Sequence, residues 1–411
     1  MDFSTIKNFI ANSTAGMIEL ETLLTSHPAL APESGGQGEL EKVVALEAWL
    51  KERGITQLER FDAPDSRVES GIRPNLVATI PGADDADSSA PRVWIMAHTD
   101  VVPVGEISLW STDPWKVVEK DGRLYGRGVE DNQQGLVAGT FAALALVQNK
   151  VMPPHTVKLL FVADEEVGSE YGIKYLLANH NLFRPNDIIV IPDGGDEIGS
   201  TIEVAEKNLL WMRIVVSGRQ THGSRPDQGI NAALAGCDLA LRLNGLEAVF
   251  NQRDELFDPP YSTFQPTKKE ANVPNINTIP GEDVFCMDCR ILPCYSLAQV
   301  RAEVNRCVAE VEKKYGVTVS YTEPQAVESP ATPADAPVAR RLAEAVKAVS
   351  GVEARPIGIG GGTVGAYLRQ AGYQSVVWSR MDETAHQPNE YTVIENLVHD
   401  SQVMAYLMMQ N

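Results

Sequence analysis

The sequence predicts an α/β fold in which a mostly parallel sheet carries helices on both faces. Three segments rich in apolar residues, Val93–Ala97, Val157–Ala163 and Ile188–Ile191, have the length and composition of strands that are buried on both faces. The segments between them, near 132–148 and 169–179, have the length and composition of helices. Strands that alternate with helices in this way form parallel sheets, because each crossover helix returns the chain across one face of the sheet.

The remaining elements divide the chain into two domains, since 411 residues are too many for one compact core. We expect one domain from residues 1–206 and 324–411, interrupted by an α+β insertion at 207–323. Helical periodicity is found at 4–25, 38–53, 338–349 and 392–409, and within the insertion at 229–244 and 297–315. Further strands are predicted at 75–80, 355–359 and 375–378, and within the insertion at 271–279, 284–292 and 317–322.

Composition excludes several classes of function. The formal net charge is −20, which argues against nucleic acid or an anionic membrane as a partner. No apolar run is long enough to span a membrane, and no signal peptide is recognisable, so we expect a cytoplasmic protein. The five cysteines do not suggest a disulfide framework. Cys286 and Cys289 lie on a predicted strand with their side chains on opposite faces, which favours free thiols over a zinc site.

Histidines and carboxylates follow the strands of the predicted sheet. Because the carboxyl ends of parallel strands share one edge of the sheet, their side chains should converge there. Candidate metal ligands at that edge are His98, Asp131, Glu166, Asp193 and His386. One ion needs three or four protein ligands, so five candidates favour two divalent ions that share a bridging carboxylate. Such a pair activates a water, and the adjacent Glu165 is available as the general base.

The chain resembles the dinuclear zinc metallopeptidase family that includes succinyl-diaminopimelate desuccinylase, acetylornithine deacetylase, aminoacylase, glutamate carboxypeptidase and carnosine-type dipeptidases. The matching motifs run in order along the whole chain: His98-Thr99-Asp100, Gly126–Asn132, Asp164–Ser169, Thr221–Pro226, Asn277–Gly281, Asp288–Arg290, Gly361–Thr363 and Ala385–Glu390. These motifs identify the family much more specifically than they identify the substrate.

The resemblance implies a role for each candidate ligand. Asp131 would bridge two zinc ions, with cobalt or manganese as alternatives. His98 and Asp193 would complete one site, and Glu166 and His386 the other.

The neighbours of the ligands also have implied roles. Glu165 would act as general base and then as general acid. Asp100 would hold the ring of His98, and a cis peptide bond would join Asp131 to Asn132.

For the insertion, the resemblance implies a lid through which two chains form a homodimer. His222 would reach an active site, either its own or that of the partner subunit, and stabilise the oxyanion. Asn277, Arg290 and the turn Gly361-Gly362-Thr363 would bind the free carboxylate of a small-molecule substrate.

The substrate stays open between two classes. An N-acyl amino acid of the succinyl-diaminopimelate or acetylornithine type is the first, and a di- or tripeptide, or a carboxypeptidase substrate, is the alternative. Asp193 favours a peptidase, since the resemblance associates Asp at that position with di- and tripeptidases and Glu with deacylases and carboxypeptidases. Lys207 either lies near the substrate carboxylate or marks the domain junction. A phosphoesterase would need more positive charge around the site, and a binding protein without activity would lack Glu165 or a ligand.

Overall fold

The computed structural model describes residues 3–411, which form two compact units. The first unit contains the chain as far as Val204, together with Thr332–Ile357 and Thr363–Asn411. The second unit contains Ala205–Ala331 and Gly358–Gly362. It therefore extends beyond the expected insertion at 207–323 and includes a short turn from the C-terminal part of the chain. That turn lies too far along the sequence for local pattern to assign it to the second unit.

The helices and the strands are each numbered in chain order. The helices are α1 (Phe3–Ala11), α2 (Thr14–Thr25), α3 (Leu40–Glu52), α4 (Gly135–Gln148), α5 (Ile173–Asn179), α6 (Ala232–Asn244), α7 (Leu297–Tyr315), α8 (Pro337–Ser350), α9 (Gly365–Gln370) and α10 (Ile394–Met408). The strands are β1 (Leu58–Pro64), β2 (Ile72–Ile80), β3 (Val93–His98), β4 (Val118–Lys120), β5 (Arg123–Tyr125), β6 (Val157–Val162), β7 (Ile188–Asp196), β8 (Thr201–Glu206), β9 (Asn208–Ser217), β10 (Thr221–His222), β11 (Thr263–Lys269), β12 (Thr278–Ile279), β13 (Glu282–Ile291), β14 (Thr318–Val327), β15 (Arg355–Ile359), β16 (Ser375–Arg380) and β17 (Tyr391–Val393).

The first unit is built on an eight-stranded sheet with the order β1-β2-β6-β3-β7-β16-β8-β15. Four central strands, β6, β3, β7 and β16, run parallel to one another. The pairs β1–β2, β2–β6 and β16–β8 are antiparallel. The predicted α/β fold, with a large and mostly parallel sheet flanked by helices, is confirmed.

Helices cover each face of this sheet, and two successive side chains of β3, which point to opposite faces, show it. Trp94 belongs to an apolar cluster that contains Leu176 of α5 and Leu368 of α9. Ile95 points to the other face, where a Cβ added at Gly139 of α4 would lie 2.8 Å from its Cγ2 atom. Only a glycine permits so close an approach between helix and strand. Both faces are therefore buried, which explains why the central strands are rich in apolar residues.

The second unit is an antiparallel sheet with the order β11-β13-β9-β14, packed on α6 and α7. The predicted strand at 271–279 is wrong, because the edge strand is β11 and most of 271–279 is a loop. The sequence of β11 contains Pro266, which sits at a shift of register and would be excluded from a central strand. An edge strand tolerates it, because only one side of the strand needs hydrogen-bond partners.

Two further expectations concern membranes and thiols. Among residues 3–411, no helix combines the length and the apolar character that crossing a bilayer requires. All five cysteines are free, as predicted. On β13, Cys289 is buried and Cys286 is half-buried, consistent with their opposite faces.

Candidate metal centre

The candidate ligands of the first unit converge because three neighbouring strands are parallel. His98 is the last residue of β3 and lies opposite Val162, the last residue of β6. On the other side of β3, Ile95 lies opposite Val190 of β7. Continuing that register by three residues brings His98 level with Asp193, which lies within β7 rather than after it. The carboxyl edge of the sheet is thus where the predicted ligands gather.

The five candidates form two groups that share Asp131. In the first group, His98 Nε2 lies 2.9 Å from Asp131 Oδ1 and 3.7 Å from Asp193 Oδ1. In the second group, His386 Nε2 lies 3.0 Å from Asp131 Oδ2 and 3.1 Å from Glu166 Oε2. The donor atoms of each group lie within 4.8 Å of one another. Asp131 therefore turns one oxygen to each histidine, which is the geometry of a bridging carboxylate.

Burial and mutual charge perturb these groups strongly. Burial raises the pKa of Asp193 to about 7, although nearby His98 works against it. Burial also acts to raise the pKa of Asp131, but hydrogen bonds with His386 and His98 outweigh it and hold that pKa below its usual range. Hydrogen bonds to Asp131 and then to Glu166 raise the pKa of His386 to about 10. Without ions, a proton on His386 supplies positive charge that the carboxylates require.

The donor set fits divalent ions. Glu166 Oε1 is buried and has no hydrogen-bond partner among the described residues, which is costly unless a cation binds there. The carboxylates outnumber the histidines, and no lysine or arginine forms a hydrogen bond with Asp131, Glu166 or Asp193 within residues 3–411. Imidazole and carboxylate donors together suit zinc and similar divalent ions. Each group offers three ligands, with the central one shared.

Asp100 contacts His98 and also binds a second segment. His98 Nδ1 lies 3.0 Å from the backbone oxygen of Asp100 and 3.4 Å from its carboxylate. The same carboxylate accepts the backbone N–H groups of Glu165 at 3.1 Å and Glu166 at 3.0 Å. Burial acts to raise the pKa of Asp100, but His98 and these N–H groups hold it below the usual range. One residue therefore contacts both a candidate metal ligand and the loop that carries the candidate base.

Glu165 differs from the ligands because its carboxylate is not engaged. Within residues 3–411 it accepts no hydrogen bond, although its backbone N–H is held by Asp100. Burial raises its pKa well above the usual range, against the effect of His98 and with the help of Asp193. A carboxylate that is free to accept a proton, with a raised pKa, has the properties of a general base.

The sequence did not reveal how the loops around the ligands are supported. Asn132 donates from Nδ2 to Asp193 Oδ1 and to the Pro192 oxygen, both at 2.6 Å. The peptide bond that precedes Asn132 is cis, as the resemblance implies. Glu130 accepts backbone hydrogen bonds from the loop that carries His386, and Glu390 accepts them from the loop that carries Asp131. In the sequence, the two glutamates could be noticed only because they lie inside the motifs Gly126–Asn132 and Ala385–Glu390, in which roles were predicted for neighbouring residues.

A second support lies beneath Glu165. Arg73 and Glu39 form a fully buried pair, with Arg73 Nε donating to Glu39 Oε2 at 2.6 Å. Glu39 also accepts the backbone N–H of Asp164 at 3.2 Å, and Arg73 lies 3.3 Å from the Asp164 carboxylate. Asp164 has a positive φ of 65°, a conformation that requires such support in a residue with a side chain. This pair fixes the turn immediately before Glu165.

The other candidates lie mainly in the second unit. His222 is exposed and pairs through β10 with Thr278 of β12. Its Nδ1 lies 2.8 Å from Ser224 Oγ. Asn277 is also exposed, and its backbone oxygen accepts the N–H of Gly223 at 2.6 Å. The structure thus brings His222 and Asn277 into neighbouring positions on one surface of this unit.

Arg290 lies beside the glycine turn of the second unit. Its Nη1 donates to the Gly360 oxygen at 2.8 Å, next to Gly361 and Gly362. Its Nε and Nη2 donate to both oxygens of Asp288, at 2.6 and 3.0 Å. Arg290 therefore both forms a salt bridge with Asp288 and contacts the glycine turn.

Thr363 and Lys207 occupy different settings. Thr363 belongs to the first unit, where its Oγ1 accepts the N–H of Gly365 at 3.1 Å. Lys207 Nζ donates to the backbone oxygens of Pro259 and Tyr261, at 2.8 and 2.7 Å. These contacts fit the structural interpretation of Lys207 at the domain junction.

Comparison with known proteins agrees with the site. The family model described as peptidase family M20/M25/M40 matches residues 94–410. An uncharacterized metallohydrolase of Methanocaldococcus jannaschii is 38% identical over 406 residues, covering 94% of this chain and 97% of that protein. Succinyl-diaminopimelate desuccinylase 2 of Ruegeria sp. is 29% identical over 384 residues, covering 92% and 91%. A dipeptidase structure from Saccharomyces cerevisiae superposes with a TM-score of 0.75 at 16% identity, covering 99% and 98%, and shares the fold.

Ions and protons should compete for the site. At pH 6 to 8 the metal-free His386, with a pKa of about 10, carries a proton that a bound ion must displace. We expect zinc affinity to rise with pH, by about tenfold per pH unit for each proton displaced. Calorimetric titration of metal-free protein, in buffers with different enthalpies of ionisation, measures both the affinity and the protons released. Equal affinity at pH 6 and pH 8, with no proton released, would contradict this.

Proposed function

The chain belongs to peptidase family M20/M25/M40, and we propose that this metallohydrolase cleaves the amide bond of an N-acyl amino acid. The proposed substrate is of the succinyl-diaminopimelate or acetylornithine type and carries a free carboxylate. Two divalent ions, zinc in the first place and cobalt or manganese as substitutes, would be held by the five ligands. Relatives of the chain include a succinyl-diaminopimelate desuccinylase, which supports this class of substrate.

The observation that carries the proposal is the position of Asp131 between two histidines. Its Oδ1 is 2.9 Å from His98 and its Oδ2 is 3.0 Å from His386. Such an arrangement supports two ions on a shared carboxylate. A free carboxylate, that of Glu165, follows β6 directly before the ligand Glu166.

Bound ions would polarise the amide carbonyl and lower the pKa of water. Glu165 would take a proton from the attacking water and return it to the nitrogen of the leaving amine. Asp100 would keep this base in place through the backbone N–H of Glu165. Asn132 would hold the Asp193 carboxylate in its ligating orientation through the hydrogen bond at 2.6 Å.

Residues of the second unit would bind and polarise the substrate. His222 is proposed to donate a hydrogen bond to the oxyanion, and its exposed ring leaves Nε2 available. Arg290 uses three of its five N–H groups on Asp288 and Gly360, so two remain for the substrate carboxylate. Backbone N–H groups of Gly361 and Gly362, with Asn277 of the same unit, would complete that anion site. Thr363, which belongs to the first unit, is proposed as a further contact of the substrate carboxylate.

A second candidate function is hydrolysis of di- or tripeptides, or carboxypeptidase activity, at the same site. Asp193 favours the di- and tripeptidase activity, because the family resemblance associates Asp at this position with di- and tripeptidases and Glu with deacylases and carboxypeptidases. The chemistry at the amide is the same, so the two functions differ in the group bound beyond the scissile bond.

We also propose a homodimer formed by the second unit. Its edge strand β11 lies beside α6, on which Leu234 is 56% and Leu241 is 73% exposed. Between these elements lies a groove of about 500 Å³, lined by Leu241, Pro266 and Phe285 among others. An exposed strand edge next to apolar side chains suits pairing with a second copy.

A cytoplasmic location is also part of the proposal and is supported by the free cysteines.

A substrate panel tests the proposed function. Metal-free protein is loaded separately with zinc, cobalt and manganese and assayed with succinyl-diaminopimelate, acetylornithine and simple dipeptides. We expect kcat/KM for an acyl amino acid to exceed that for dipeptides by at least about tenfold. Converting the substrate carboxylate to an amide should abolish turnover. Faster cleavage of dipeptides would establish the second candidate instead, and cleavage of neither class would refute both.

Glu165→Gln should lower kcat by about 10²–10⁴, because the proton transfer is lost while the ligands are untouched. Bound metal, measured by elemental analysis, should not change. Glu170→Gln is the matched control, since Glu170 lies on the same loop and forms an exposed pair with Lys174 at 2.7 Å. Full turnover of the Glu165 variant with its ions bound would exclude the role.

Chains that carry His222→Ala, mixed with chains that carry Glu165→Ala, test whether a site is shared between subunits. If His222 acts in the partner's site, random reassociation restores about a quarter of the active sites. Each variant alone should be nearly inactive, and light scattering should report a dimer. A dimer without recovered activity would mean that His222 serves its own chain, whereas a monomer would remove the homodimer from the proposal.

A further inference from the structure

We propose that Glu130 and Glu390 form a reciprocal clasp that positions the second group of metal ligands. Two segments are involved. The bridging loop, Arg127–Asp131, carries the shared ligand Asp131, and the histidine loop, Asp382–Glu390, carries His386. Each loop contributes one buried carboxylate that binds the backbone of the other. The inference rests on the proposed dinuclear function and assigns a positioning role to both glutamates.

Glu390 belongs to the histidine loop and binds the bridging loop. One carboxylate oxygen accepts the backbone N–H groups of Glu130 at 3.0 Å and Asp131 at 3.1 Å. The other accepts the N–H of Gly128 at 3.0 Å and Arg127 Nη1 at 2.6 Å. Glu390 is fully buried, so these four donors replace its hydration. The backbone of Asp131 itself is therefore held from the loop of the opposite ligand.

Glu130 belongs to the bridging loop and binds the histidine loop. Its Oε1 accepts the backbone N–H of Asp382 at 2.9 Å. Its Oε2 accepts the backbone N–H of Thr384 and, at 2.8 Å, the Thr384 hydroxyl. Glu130 is 2% exposed. The carboxylate thus engages the chain two residues before His386.

The histidine loop needs this support because its backbone is strained. Glu383, His386 and Asn389 have φ values of 58°, 63° and 61°, in the left-handed region that residues with side chains seldom adopt. Such a conformation is unfavourable for a residue with a side chain and persists only where the surroundings fix it. The N–H groups that Glu130 accepts belong to the residues on either side of Glu383, and they supply that constraint where the loop begins.

The chemistry of the clasp requires carboxylates. Every partner of Glu130 and Glu390 is a hydrogen-bond donor, so all the bonds are made by acceptor oxygens. A glutamine would turn an NH₂ group toward at least one of these donors and leave it buried without a partner. At Glu390 it would also leave the buried Arg127 without its counter-charge.

The two glutamates should differ in which ion they affect. Glu130 fixes only the histidine loop, and His386 belongs to one metal group. Glu390 fixes the backbone of Asp131, which belongs to both groups. Loss of the Glu130 contacts should therefore weaken one ion, whereas loss of the Glu390 contacts should weaken two. A role in general stability alone would not produce this asymmetry.

Metal titration of the full-length protein tests the clasp without reference to activity. Zinc affinities are measured by competition with a chelator for the wild type, Glu130→Gln, Glu390→Gln and the control Glu383→Gln, whose exposed side chain forms no hydrogen bond among the described residues. In Glu130→Gln one ion should bind about 10–100-fold more weakly and the other within about twofold of wild type. Glu390→Gln should weaken both ions, and Glu383→Gln neither.

A milder pair of variants covers the case in which a glutamate variant does not fold. Thr384→Val removes the hydroxyl, and with it the contacts with Glu130 and with the backbone of Tyr391, whereas Thr384→Ser retains the hydroxyl. Thr384→Val should weaken the same single ion by about tenfold, and Thr384→Ser should restore it. His386→Ala identifies that ion. Adding Thr384→Val to His386→Ala should cause no additional loss of zinc affinity. The unfolding midpoint of the metal-free protein is recorded for each variant as a measure of stability.

The outcomes separate the clasp from the function on which it rests. If the wild type binds two ions and Thr384→Val binds both as tightly as Thr384→Ser, the clasp is wrong and the dinuclear function stands. Equal weakening of both ions in Glu130→Gln would also overturn it, since that is the signature of a general loss of stability. A wild type that binds at most one ion would overturn both the clasp and the two-ion function.

Discussion

The structure depends on how one edge of a sheet accommodates many carboxylates. Asp100, Asp131, Glu165, Glu166 and Asp193 gather there with two imidazoles. Like charges at such short distances in a poorly hydrated site repel strongly. The repulsion is reduced in two ways, since some carboxylates face a site for cations and others are surrounded by N–H donors. The donors come from the loops that bear the ligands, so the same bonds that stabilise charge also fix position.

Asp100 and Glu390 illustrate this double use. Asp100 extends from the end of β3 and holds the backbone of Glu165 and Glu166, which follow β6. Glu390 holds the backbone of Asp131 from the loop of His386. Each links two segments far apart in sequence. A few buried carboxylates therefore connect the loops that carry the ligands to the ends of the strands. Because the strand ends are rigid, these contacts position side chains that lie on irregular loops.

The second unit shows where local pattern fails. The loop at 271–277 contains Ala271, Val273 and Ile276 and was predicted as part of a strand, whereas the residues of β11 are mostly polar. Whether a segment pairs is decided by the neighbour available to it, and β13 is adjacent to β11 in the antiparallel sheet. The extent of the second unit is likewise decided by neighbouring segments rather than by local sequence. The turn 358–362 joins it through contacts such as that of Arg290 with Gly360, which separate parts of the sequence provide.

The sequence by itself determined the fold class, the central strands and the residues that converge at their ends. These follow from local information, because apolar runs specify buried strands and parallel strands carry their carboxyl ends to one edge. The tertiary structure decided which carboxylates face a cation site and which face the backbone. Glu130 and Asp131 are adjacent in sequence, yet one binds the histidine loop and the other faces two histidines. That division depends on donors supplied by distant segments, and no local pattern encodes it.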